Sequence, residues 1–204
     1  FQISVTHYPL SIPNIRNSYS VFNTETDLTN SFGFESDEQG ISYSLKFDYN
    51  EYLALSSGFS LKKSNRHSAV KNTSVISDNI GKFDIYSINF SIRQDSTNDY
   101  LYPTDGALNS AYFEYSPEDI SDDSYYKLIL SSNLFKKTKN SNRFIFLSNK
   151  LGLADSFDGK LKSVYSYSLG GMNFKGFDYR GIGPRQDNIY LGGNKFFSTT
   201  IGYG

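Results

Sequence analysis

Apolar and polar side chains alternate with a period of two along much of this chain, which is the signature of strands with one wet face. Ile41, Tyr43, Leu45, Phe47 and Tyr49 fall on one side, and Ser42, Ser44, Lys46 and Asp48 on the other. Tyr86, Ile88, Phe90 and Ile92 alternate with Ser87, Asn89, Ser91 and Arg93. Leu53, Leu55, Phe59 and Leu61 oppose Ala54, Ser56, Gly58 and Ser60, while Tyr126, Leu128, Leu130 and Leu134 oppose Tyr125, Lys127, Ser131 and Asn133. Weaker alternation runs through 16–27, 106–115, 143–154 and 196–204, and no window of similar length has a helical period. The pattern predicts an all-β fold of about nine antiparallel strands in sequence order, with no helix longer than a turn or two.

Strands of about ten residues with one apolar face suit a tilted crossing of a hydrocarbon layer. A soluble sandwich or closed soluble barrel has the same alternation. Two features favour the membrane. The strands exceed the usual five or six residues, and aromatics gather near their ends (Tyr49 with Tyr52, Tyr100 with Tyr102, Tyr165 with Tyr167), as interfacial girdles do. Connections also alternate in length, short on one side and long on the other. With 49–51 as a periplasmic turn, 28–38, 64–81, 116–123 and 155–194 face outside, and 8–15, 95–105 and 136–142 return on the periplasmic side. Ile41, Tyr43, Leu45, Phe47, Tyr86, Ile88, Phe90, Leu128 and Leu130 then face lipid. Ser42, Lys46, Asn89, Arg93 and Lys127 face the lumen.

Composition narrows the picture further. Among 204 residues 38% are hydrophobic, 17% aromatic and 20% charged, with a net charge of −1. This balance does not suit a helix bundle and gives no footing for nucleic acid. The absence of Cys excludes disulfides and thiolate metal sites. His7 and His67 lack ligand spacing, so no metal or cofactor is expected. Asp119, Asp122 and Asp123 lack the calcium-loop pattern and read as a solvated acidic loop. Phosphate loops and nucleophile elbows are absent. The chain begins and stops inside expected strands and reads as one incomplete domain over 1–204.

Two segments carry more than strand pattern. Tyr102, Pro103, Thr104, Asp105 and Gly106 form a turn string: Pro sets φ, Asp105 can bond the backbone ahead, and Gly106 takes a positive φ. Residues 168–194 crowd Leu169-Gly170-Gly171, Phe174-Lys175-Gly176-Phe177, Ile182-Gly183-Pro184-Arg185 and Leu191-Gly192-Gly193-Asn194 into one loop. A mobile external loop is the bland reading. The density of Gly, aromatics and cations favours instead a loop folded inside a barrel, where Lys175, Arg180 and Arg185 seek carboxylates.

In this order the motifs resemble the BamA-type outer-membrane assembly barrels of the bacterial surface antigen family, over essentially the whole chain. The resemblance implies an up-and-down transmembrane β-barrel of which this chain is about the fourth to twelfth strand. Phe174, Lys175, Gly176 and Phe177 correspond to that family's Val-Arg-Gly-Phe-like motif on its sixth extracellular loop, with Gly183, Pro184 and Arg185 shaping the loop's return. Tyr102 to Gly106 correspond to the periplasmic turn before the ninth strand. The resemblance further implies a bacterial outer-membrane assembly factor that is not an enzyme. Its partners would be the bilayer, client outer-membrane proteins, and accessory lipoproteins bound through periplasmic domains outside this chain. The departure is Lys175, which keeps the charge of the family's Arg but loses its planar fork; its acidic partner is expected on a strand beyond residue 204, with Arg180 or Arg185 sharing the role. A TamA-like or two-partner-secretion transporter and a passive porin-like channel remain open as alternatives.

Overall fold

The structure is a computed structural model that describes residues 1–10, 12–69, 76–138, 143–171, 174–186 and 189–204. Eight strands follow one another: β1 (Gln2–His7), β2 (Ile15–Asp27), β3 (Phe34–Asp48), β4 (Leu53–Ser68), β5 (Gly81–Asp95), β6 (Gly106–Ser116), β7 (Tyr125–Lys137) and β8 (Phe144–Ser156). After the long connection come the two-residue strands β9 (Arg185–Gln186) and β10 (Ile189–Tyr190), then β11 (Lys195–Tyr203). One nine-stranded sheet holds β1 to β8 and β11 in chain order, every pair antiparallel. β9 and β10 make a separate hairpin that the alternation did not reveal. A one-turn helix, α1 (Thr29–Phe32), joins β2 to β3, and a 3₁₀ turn (Ser77–Asn79) precedes β5.

The period of two fixes which residues share a row, and the rows sort by polarity. Val5, Tyr19, Tyr43, Phe59, Ile88, Tyr115 and Tyr126 lie side by side across seven strands. Three neighbouring rings of the row touch, with centroids 5.1 Å apart for Tyr19–Tyr43 and 5.6 Å for Tyr43–Phe59. On the opposite face Ser4, Ser20, Ser42, Ser60 and Ser87 form another row. Small hydroxyls there pair across strands, as Ser56 and Ser91 do at 2.6 Å. All nine residues expected to face lipid share the apolar face by register, and Ser42, Lys46, Asn89, Arg93 and Lys127 share the other.

The long connection 157–194 folds against the polar face, which we call the inner face. Ile85, Tyr125 and Ala154 of the wall bury there with Leu161 and Tyr165 of the loop. The apolar face stays bare: Tyr19, Ile88 and Phe90 are exposed by 52%, 42% and 50%. A continuous apolar sheet surface of this extent needs a partner or a bilayer.

Two expected loops are shorter than the sequence suggests. The β3–β4 ladder continues from Glu38↔Ser64 to Phe34↔Ser68, so the first of these connections is 28–33, not 28–38. The other starts after Ser68 and not at residue 64. Polar side chains do not stop a ladder, because its hydrogen bonds belong to the backbone. The expected turn at 136–142 falls partly on residues 139–142, the turn at 8–15 includes Ser11, and the loop at 64–81 includes 70–75; those residues lie outside the described ones.

Candidate functional site

The long loop is built in two parts, a buried base and an exposed hairpin. At the base, Tyr165 stacks on Tyr125 of the wall with centroids 3.9 Å apart and planes at 21°. Tyr167 meets Phe196 edge-on at 4.9 Å and lies 5.3 Å from the Lys127 ammonium. Its backbone pairs with Gly193 in both directions, so the two ends of the loop close on each other.

Between these elements sits an ion cluster that sequence reasoning missed. Arg66 Nη2 donates to Asp123 Oδ2 at 3.0 Å and to the Tyr165 hydroxyl at 3.1 Å. The Tyr165 hydroxyl donates to Asp123 Oδ2 at 2.6 Å, and Lys162 Nζ donates to Asp123 Oδ1. The side chains of Arg66 and Asp123 are only 2% and 1% exposed. Phe83 covers both cations, 4.6 Å from the Arg66 guanidinium and 3.7 Å from Lys162 Nζ. The reading of Asp123 as solvated is therefore wrong. Its backbone carbonyl is held by Ser116 and Ser121, which turns the carboxylate inward beneath the loop. Burial pushes the Tyr165 phenol well above its ordinary value, so it stays a neutral donor to Asp123. The cluster ties β4, the β6–β7 connection and the loop base together.

Beyond the base the chain forms a hairpin. Leu169 and Ile182 bond each other in both directions, and Gly171 N donates to Phe177 O at 2.9 Å. Gly170 (φ 131) lies where a Cβ would come within 2.1 Å of Asp178 O, so only glycine lets the two arms approach. Phe174, Lys175, Gly176 and Phe177 stand at the tip. The two rings meet at 5.6 Å, Lys175 and Gly176 are exposed, and Phe177 is 52% exposed. Lys175 makes no salt bridge among the described residues. Gly183, Pro184 and Arg185 lie exposed on the return: Pro184 O accepts from Leu191 N at 3.0 Å, and the Arg185 guanidinium lies 4.3 Å from the Tyr190 ring centre. Arg180 is the buried cation of the hairpin. The structure thus gathers the loop residues into one hairpin and its return, but the buried cations among the described residues are Arg66 and Arg180, with Lys162 partly exposed beside Asp123.

At the other end of the wall, Tyr102 to Gly106 make the turn into β6. The capping acid is not Asp105 as expected. Asp99 Oδ1 accepts from Leu101 N and Tyr102 N, both at 2.8 Å, and Asn98 Oδ1 accepts from Thr104 N at 3.0 Å and Asp105 N at 2.9 Å. Those backbone donors hold the Asp99 carboxyl below its usual range. Asp105 instead pairs with Lys136 at 3.3 Å. A Cβ on Gly106 (φ 102) would meet Ser96 O at 2.2 Å, which explains glycine here. Tyr100, Leu101 and Tyr102 project from this turn, 83%, 73% and 80% exposed. The turn and the loop lie at opposite ends of the strands and do not form one site.

Residues 1–203 match the Omp85 superfamily domain. No curated protein matches significantly. Among solved structures, BamA from Haemophilus ducreyi lacking POTRA domains 1–3 superposes with a TM-score of 0.84 at 16% identity, over 98% of this chain and 43% of that one. At that identity the likeness is one of fold, a transmembrane β-barrel wall, and the chain spans less than half the length of that structure.

Proposed function

The chain belongs to the Omp85 superfamily, and from that premise we propose that it is part of a bacterial outer-membrane barrel that assembles client barrels without covalent chemistry. The apolar face meets lipid, the turn at 102–106 faces the periplasm, and the loop 157–194 lies in the lumen. Unpaired backbone groups are costly in lipid, so a protein edge that templates client strands lowers the barrier to their insertion. Accessory lipoproteins bind through periplasmic domains of the intact protein, and neither nucleic acid nor a cofactor takes part.

The observation that carries this reading is the loop's division of labour. A base locked to the wall by enclosed ions displays the tip, where Lys175, Gly176 and Phe177 are exposed and Phe174 is half-buried. In the intact barrel Lys175 pairs with a carboxylate elsewhere on the wall.

Complementation of an assembly-deficient strain by the intact protein tests this, with client-barrel levels in the outer membrane as the readout. Those levels separate barrel assembly from export of a soluble cargo. Lys175→Arg should match or exceed the parent protein, because Arg adds a bidentate fork. Lys175→Ala leaves a carboxylate unpaired, which costs about 3–5 kcal/mol in a dry site and less in a wet lumen. Lys175→Glu should be the most damaging. Normal client levels with Lys175→Glu would remove the reading.

A further inference from the structure

Arg180 has a guanidinium enclosed without an acid among the described residues. The residue is 8% exposed, and it is the only described non-glycine residue with positive φ, at 56°. It sits third in the turn closed by Gly181 N→Asp178 O at 2.8 Å. Long side chains disfavour this backbone region, so the turn aims Arg180 at some conformational expense. Its guanidinium carbon lies 4.0 Å from the Phe32 ring centre of α1 and 5.6 Å from that of Tyr190. This contact ties the hairpin across the inner face to the β2–β3 connection, and the rings fix the cation's plane.

Two buried atoms of this group, Nε and Nη2, have no hydrogen-bond partner among the described residues. They are not an arbitrary pair. Nε–H and Nη2–H form one edge of the guanidinium, with parallel donors at the spacing of two carboxylate oxygens. Arg stays charged when buried, and a buried cation with idle donors is costly. No acidic side chain among the described residues makes a salt bridge with it.

We propose that Arg180 is one half of a carboxylate-binding site, whose Nε–Nη2 edge receives a carboxylate side-on and so locks the hairpin over α1. The site is separate from Lys175 at the tip, and it stands whether the barrel inserts clients or exports cargo. The carboxylate comes from an Asp or Glu of the intact protein, or from an exchangeable carboxylate in the lumen.

The test uses the intact protein in detergent, with hydrogen exchange read at Gly181 and Ile182, whose amides close the turn and the hairpin base. Heat-modifiable mobility on gels confirms that each variant remains a folded barrel. Arg180→Met should speed exchange at both amides by about tenfold, the scale of one coupled pair, with Arg180→Lys in between because it keeps charge without the fork. One arm replaces Asp178, Asp187 and the acidic residues of the remaining wall singly with Asn or Gln. A protein-borne partner is identified by a variant that copies Arg180→Met and adds nothing to it. The other arm titrates sodium acetate. Exchange that slows with acetate in the parent protein but not in Arg180→Met marks an exchangeable ligand. The proposal is overturned if Arg180→Met exchanges like the parent. It is equally overturned if no acid couples and acetate has no effect, since the contacts with Phe32, Tyr179 and Tyr190 then suffice to hold Arg180.

Discussion

With 1% of its side chain exposed, Asp123 meets Arg66 and Lys162 where water cannot share the charge. Such a cluster gains little over an apolar replacement, but losing one member strands the others. Asp123→Asn keeps the shape and removes the charge, leaving Arg66 enclosed with only a phenol and a serine to face. We expect it to cost about 3–5 kcal/mol in detergent unfolding. Lys162→Met should cost much less, because Lys162 is 20% exposed and Arg66 still compensates the carboxylate. An Asp123→Asn barrel as stable as its parent would mean that water reaches the cluster. None of this was legible from the acidic string around Asp123, which looks like any solvated loop. Arg66 is 57 residues away in sequence and Tyr165 is 42. Only the strand register, with a loop folded back over it, brings them together.

At the level of elements, the alternation was enough for the nine strands of the wall, though not for the β9–β10 hairpin. A period of two states both that a strand exists and which way it faces, and the observed rows agree with it residue by residue. Strand ends were less legible, since Ser36, Ser64 and Arg66 continue the β3–β4 ladder without apolar partners. The turn before β6 was read for its Pro and Gly, whereas its hydrogen bonds come from Asn98 and Asp99 just upstream of the motif. Sidedness offers a sharp comparison between neighbours. Ile88 sits in the aromatic row on the bare face and Asn89 on the inner face. Ile88→Arg should destabilise the barrel by roughly 2–4 kcal/mol if the row lies at mid-bilayer. Asn89→Arg, facing water and Glu114 of the next strand, should be far milder. Equal losses in bilayer-refolding titrations would contradict the assignment of the faces.

For the molecule as a whole, the question is which part of the loop holds the wall and which part works. Neighbouring strands satisfy one another's backbone ladders, so the wall does not depend on the loop for those hydrogen bonds. What the loop adds is burial, concentrated at the base, where Leu161 and Tyr165 complete the cluster of Ile85, Tyr125 and Ala154. The hairpin from 170 to 181 adds the Arg180 contact with α1 and otherwise carries an exposed tip. Stability and activity should therefore separate. Tyr165→Ala removes a stacked, hydrogen-bonded ring from the core, and large aromatic truncations of this kind cost about 3–5 kcal/mol. Replacing residues 170–181 by Asn-Gly keeps the Leu169–Ile182 pair and closes it with the turn that two-residue hairpins favour. That variant loses the tip but keeps the base and its ion cluster. Its thermal midpoint should fall much less than that of Tyr165→Ala, while complementation should fail. If the shortened loop melts the barrel as Tyr165→Ala does, the hairpin is structural and the division between base and tip is wrong. If it melts little and still complements, the tip is dispensable and the assembly reading loses the observation on which it rests.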